Sequence, residues 1–154
     1  MSLTAGTLAL SNAGAISGGT LAVGTGTTLL SDGTSTISSS VTSTGLISVT
    51  AGDLILNGGG ALGGTLNGAG ALELTGAAAF TIGSAGLAGS GTLVDAGATL
   101  NFSASGTINP AVTVTGGGIL SASAGKNGTI AGALTIGQPP DTYTARAICL
   151  ARER

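Results

Sequence analysis

Gly64-Thr65-Leu66-Asn67-Gly68-Ala69-Gly70-Ala71-Leu72-Glu73-Leu74-Thr75-Gly76 carries in thirteen residues the grammar of most of the chain. Across Leu72-Glu73-Leu74 the apolar side chains alternate with a charged one, and period two means a strand with one buried face. Asn67-Gly68 and Thr75-Gly76 bracket that strand with turn chemistry. The same short bursts recur on either side: Leu8-Ala9-Leu10, Ile47-Ser48-Val49, Leu100-Asn101-Phe102, Val112-Thr113-Val114 and Leu134-Thr135-Ile136. Before residue 140 no 3.6-residue period is sustained, and the Gly, Ser and Thr content disfavours helix.

The bursts repeat imperfectly. Gly19-Thr20-Leu21, Gly64-Thr65-Leu66 and Gly91-Thr92-Leu93 share a tripeptide, and Gly45-Leu46-Ile47 and Gly118-Ile119-Leu120 are degenerate copies. The leading glycines are 26, 19, 27 and 27 residues apart. A unit of that size with three short strands is one turn of a parallel β-solenoid, in which each turn stacks on the next and none can bury its inner face alone. The expected fold is therefore all-β, a β-helix of five to six irregular turns over residues 1–137. The expected core ladders are Leu21/Ile47/Leu66/Leu93/Leu120, Leu29/Leu74/Leu100 and Ile37/Ile82/Ile108, with Phe80 and Phe102 in wider corners. At Gln138 the composition shifts. Residues 138–154 hold Pro139, Pro140, the single Tyr and Cys and three of the four basic residues, which suggests a tail or a short capping helix over Ala145 to Arg152.

Composition narrows the function. Of 154 residues 30 are Gly, 6% are charged and 2% aromatic, the net charge is −2, and there is no His or Trp. An average domain carries about 25% charged residues. Without His the commonest general base near neutral pH is missing. Four basic residues make too weak a surface for nucleic acid. One Cys excludes an internal disulfide and a His/Cys metal site. No cofactor is expected. Mean hydropathy is positive, yet no run approaches the roughly 18 apolar residues of a membrane helix. The first ten residues lack the basic and apolar regions of a secretion signal. Collagen's glycine period is absent, and the low net charge argues against disorder.

The Gly-Thr-Leu starts, the Leu-x-Leu strands and the Gly/Ala/Ser/Thr/Asn turns over residues 3–137 resemble the passenger regions of bacterial autotransporters and of filamentous-haemagglutinin-type adhesins. That resemblance implies a right-handed parallel β-helix at a bacterial cell surface or outside the cell. It also implies an export signal and a C-terminal export module, so the chain is expected to be a fragment of something longer. It brings no catalytic residues.

Single motifs add little. Gly58-Gly59-Gly60-Ala61-Leu62-Gly63 matches a dinucleotide-binding glycine pattern, but Gly-Thr-Leu-Asn-Gly follows where a helix is required; these are turn glycines. Asp32, Asp53, Glu73 and Asp95 contain no evident carboxylate pair. Glu73 aligns beside Ile55 and Asn101, and Asp32 and Asp95 read as solvated turn residues. Asp does not recur at the spacing of calcium-binding repeats. Asn101-Phe102-Ser103 and Asn127-Gly128-Thr129 match the glycosylation sequon by coincidence. Cys149 reads as an incidental thiol. Thr-x-Thr pairs are the one candidate binding feature: Thr42/Thr44 and Thr113/Thr115 fall at equivalent places in the repeat and could form outward ranks.

The expected function is a non-enzymatic structural or adhesive rod, with host or surface glycans or proteins as partners. A Thr-rich binder of ice or carbohydrate is the alternative, and a polysaccharide-acting enzyme on the same fold a more distant one. Scarce charge and open solenoid edges also predict end-to-end self-association.

Overall fold

The computed structural model describes residues 1–137 and, beyond them, the backbone of the strand segments Thr142–Tyr143 and Ile148–Leu150. Until the last coil, each strand pairs in parallel with the strand about twenty residues later, so the chain winds as a three-faced β-solenoid. The first face stacks Ser2–Leu3, Thr20–Val23, Ser40–Ser43, the start of Gly60–Asn67, the start of Ala79–Ala88, Thr99–Phe102, Ile119–Ala122 and Thr142–Tyr143. The second stacks Thr7–Leu10, Thr28–Ser31, Leu46–Val49, the ends of the same two long strands, Gly106–Ile108, Gly128–Ile130 and Ile148–Leu150. The third stacks Ala15–Ile16, Ser35–Ile37, Asp53–Leu56, Ala71–Thr75, Thr92–Ala96, Ala111–Thr115 and Leu134–Ile136. Seven coils are complete and an eighth begins, against the expected five or six turns. Among the described residues no helix occurs. Ile148–Leu150 is extended and in register with Gly128–Ile130; the rest of the helix expected over residues 145–152, and the boundary at residue 138, lie outside the described residues.

Alternation decides which side chains enter the tube. On the third face Ile37, Leu56 and Leu74 form one inward ladder, and Leu54, Leu72, Leu93 and Val112 form another. All thirteen residues named above as core are buried. Each fully buried Leu, Ile or Phe contributes about 1.5–3 kcal/mol, and all of them pack into one cluster along the axis.

The ladder memberships differ from the sequence alignment. Leu21 stacks on Val41, not on Ile47; Ile47 does stack on Leu66. Leu66 and Leu93, both third in a Gly-Thr-Leu, sit on the second and third faces, and Leu21 sits on the first. A turn glycine, an outward Thr and an inward Leu begin a strand equally well on any face. The tripeptide therefore marks strand starts, not coils, and spacings of 26 or 27 residues step from one face to the next.

The two phenylalanines lie on the first face rather than in corners, each opposite a glycine. Phe80 is in register with Gly60, an inward position where a Cβ would run into the Val41 carbonyl. The Phe102 ring reaches across to Gly128, where a Cβ would stand 2.6 Å from Cγ.

Candidate functional site

Two adjoining depressions occupy the corner between the first and second faces. One is about 380 Å³ and is lined by Thr25, Gly26, Thr27, Thr28, Thr44, Gly45, Leu46 and Thr65. The other, about 240 Å³, is lined by Thr42, Ser43, Thr44, Ala61 to Gly63 and Gly83 to Gly86. Thr44 borders both.

Corner length creates them. In register, Val23 pairs with Ser43 and Thr28 with Leu46, so residues 24–27 of one coil lie over only residues 44 and 45 of the next. On the other side Leu62 pairs with Ile82 and Gly64 with Leu87, so Gly63 alone faces residues 83–86. The corners of the third and fourth coils are thus short between two long ones. The first wall is tied by Thr27, whose N–H and hydroxyl both donate to the Gly24 carbonyl, at 3.1 and 2.6 Å. Gly45 fits beneath it because a Cβ there would meet the carbonyls of Gly24 and Thr27. Thr25 and Gly26 at the first wall and Ser84 and Ala85 at the second are exposed.

Apart from Thr27, the hydroxyls lining this saddle are weakly used. Thr25 donates to Thr44 Oγ1 at 3.3 Å, and Thr44 donates to the Val23 carbonyl at 3.5 Å. Both are long for O–H···O bonds. Ser43 is buried and its hydroxyl has no hydrogen-bond partner. No Asp, Glu, Lys or Arg lines either depression.

Of the expected Thr pairs, Thr42 and Thr44 line this saddle, whereas Thr113 and Thr115 belong to Ala111–Thr115 on the third face. The two pairs are not equivalent, and no common rank contains them. Thr113 instead stacks between Val94 and Thr135.

The acids are placed differently from expectation at two points. Glu73 stacks beside Ile55, as anticipated, but its other neighbour is Val94, not Asn101. Asp95 is no solvated turn residue: it lies inside Thr92–Ala96, fully buried, in the ladder between Leu74 and Val114. Its Oδ1 accepts the Ala98 N–H at 3.0 Å, and Gly118 leaves room for it. Alternation carries the signal, since Leu93 and Asp95 share parity, whereas Asp95-Ala96-Gly97 read locally looks like a turn. Asp32 is exposed at a corner. Asp53 and Glu73 point outward on adjacent coils, two positions out of register on a flat face. Among the described residues no group of three or more His, Cys, Asp or Glu converges, and no helix is long and apolar enough to cross a membrane. Of the sequon asparagines, Asn101 has its amide held by Ser121 and Ser123, at 3.1 and 3.0 Å, while Asn127 is exposed.

No protein-family model matches the chain, and no curated protein or solved structure shows a significant match to it.

Proposed function

We propose that this chain is a non-enzymatic rod with structural and adhesive work at a bacterial cell surface or outside the cell, a segment of the displayed region of an autotransporter- or filamentous-haemagglutinin-type protein. The observation that carries the reading is the outer surface of the seven coils. Charge on it is sparse, and the first face carries a short uncharged row: Ala22, Thr42, Ala61, Thr81, Asn101 and Ser121 run in register. A stack at about 4.8 Å per coil gives a rod roughly 30 Å long, stiffened by a continuous ladder of backbone bonds. Asp53 and Glu73 lie on adjacent coils but two positions out of register, not as a stacked carboxylate pair, which supports the non-enzymatic reading. The two Thr-x-Thr pairs lie on different faces, which weakens the ice-binding alternative.

Display of the chain on a bacterial surface, behind a heterologous export signal and ahead of a heterologous membrane barrel, tests the proposal. Cells displaying the folded chain should adhere to epithelial cells or glycan-coated surfaces above the barrel-only control. Adherence equal to that control on every surface, with folded display verified by protease resistance, would overturn it.

A further inference from the structure

The saddle at the corner of the first and second faces has the features of a binding site. It is walled on two sides by residues 24–27 and 83–86, and its floor is two coils with the shortest corners. We infer that it binds a neutral saccharide. The inference deepens the adhesive reading and rests on it.

The chemistry points to that ligand class. A hydroxyl both donates and accepts, so the side chains of Thr25, Thr28, Thr42, Thr44 and Thr65 match a ligand that also presents paired donors and acceptors. The hydroxyls of Thr28, Thr42 and Thr65 make no hydrogen bond among the described residues, and those of Thr25 and Thr44 make only long ones. Ser43, between Thr42 and Thr44, shares the parity of Val41 and turns into the tube, so the outward hydroxyls alone face the saddle. With no charged side chain in the lining, an ionised ligand would lose hydration without a counter-charge. The Thr methyls, Ala61 and Leu46 provide apolar area for the C–H faces of a sugar ring. There is no aromatic platform, so a single site binds weakly, and useful adhesion comes from many copies acting together.

The test is titration of the ¹⁵N-labelled chain with methyl α-glucoside and methyl α-galactoside, with glucuronate as the charged comparison, followed by amide shifts. At least one neutral sugar should give saturable shifts in the millimolar range, confined to amides of residues 24–28, 42–46, 61–65 and 83–86, and glucuronate should bind no better. The Thr44→Val/Thr65→Val chain keeps β-branched side chains and should bind at least fivefold more weakly. Thr113→Val/Thr115→Val should bind unchanged. Ser84→Trp, at an exposed turn, fills the saddle without touching the core and should abolish the shifts even if the Thr double variant does not fold. Absence of saturable shifts with both neutral sugars overturns the inference, as do shifts that survive Ser84→Trp. If the surface-displayed chain still adheres while neither sugar binds, the site is wrong and the adhesive reading stands; if sugar binds and cells do not adhere, the reverse holds.

Discussion

Gly128→Ala tests how tightly the tube is packed at a position where backbone strain plays no part. Gly128 is buried at the start of Gly128–Ile130 and does not have a positive φ, so alanine fits its backbone. The obstacle is one ring. The new Cβ would stand 2.6 Å from Phe102 Cγ and nearer still to Cδ2 and Cε2, whereas carbon atoms pack at about 3.5–4.0 Å. The ring must retreat by about 1 Å or more, and it has no exposed edge to move toward. Its ladder neighbours, Ile82 and Ala122, hold it on both sides. Overpacking of this kind costs about 1–3 kcal/mol, and the full burial of the ring places Gly128→Ala at the upper end, about 2–3 kcal/mol. At roughly 2–4 °C per kcal/mol for a chain this long, the melting temperature should fall by about 4–12 °C. Phe102→Leu alone loses ring contacts and should cost about 1–2 kcal/mol. In the double variant the smaller side chain makes room for the methyl, so Phe102→Leu/Gly128→Ala should be more stable than the sum of the single losses by at least about 1 kcal/mol, a coupling expected of touching groups. Urea unfolding followed by circular dichroism reads the global change. Amide hydrogen exchange at Gly128–Ile130 reads the local one, which matters because solenoids can open coil by coil. A Gly128→Ala loss below about 0.5 kcal/mol, or strict additivity in the double variant, would refute the claim that Gly128 exists to seat the Phe102 ring.

Three other substitutions separate causes. Asp95→Ala removes the acceptor of the Ala98 N–H and should cost about 1–3 kcal/mol, while Asp95→Asn keeps an oxygen for that bond and should cost clearly less; equal losses by thermal melting would show that the bond is not what matters. Ser35→Ala deletes a buried hydroxyl that has no partner and should stabilise the chain by about 0.5–1 kcal/mol; a fall in the urea midpoint would count against this. Gly76 and Gly60 both have positive φ, but a Cβ at Gly76 meets nothing within 4 Å and one at Gly60 meets the Val41 backbone. Gly76→Ala should therefore cost about 1–2 kcal/mol and Gly60→Ala should disrupt the fourth coil, seen as lost exchange protection over Gly60–Asn67; similar losses in the two would show that φ alone sets the penalty.

Strand identity and core membership were legible in the sequence because both depend on local parity. An inward Leu after an outward Thr is read the same way in Thr20–Val23 as in Thr92–Ala96. Register was not legible, because it depends on corner lengths, and corners between the first and second faces range from Gly63 alone to residues 123–127 without any change in the strand grammar. That is why Ile37 was aligned with Ile82, although its true neighbour is Leu56 on the same face. The saddle was half legible. Thr42 and Thr44 drew attention as a pair, but their partners Thr25, Thr28 and Thr65 lie about twenty residues away in either direction and meet them only once the corners are counted.

The glycine content follows from the same geometry. A Cβ on Gly45, Gly64, Gly68, Gly86 or Gly106 would run into a backbone carbonyl of the neighbouring coil. Such a clash cannot be relieved by turning a side chain; only a shift of the backbone ladder would do it. These glycines therefore let coils approach to the spacing that parallel backbone pairing needs. Leu, Ile and Val supply the inner rows, and glycine supplies the corners and close approaches, so both are fixed by stacking. The outward positions are bound by neither requirement and are free to differ from coil to coil. In this chain outward hydroxyls gather where short corners meet long ones. A rod built this way can change what it binds by changing one corner and two or three outward side chains, without disturbing the ladders that hold it together.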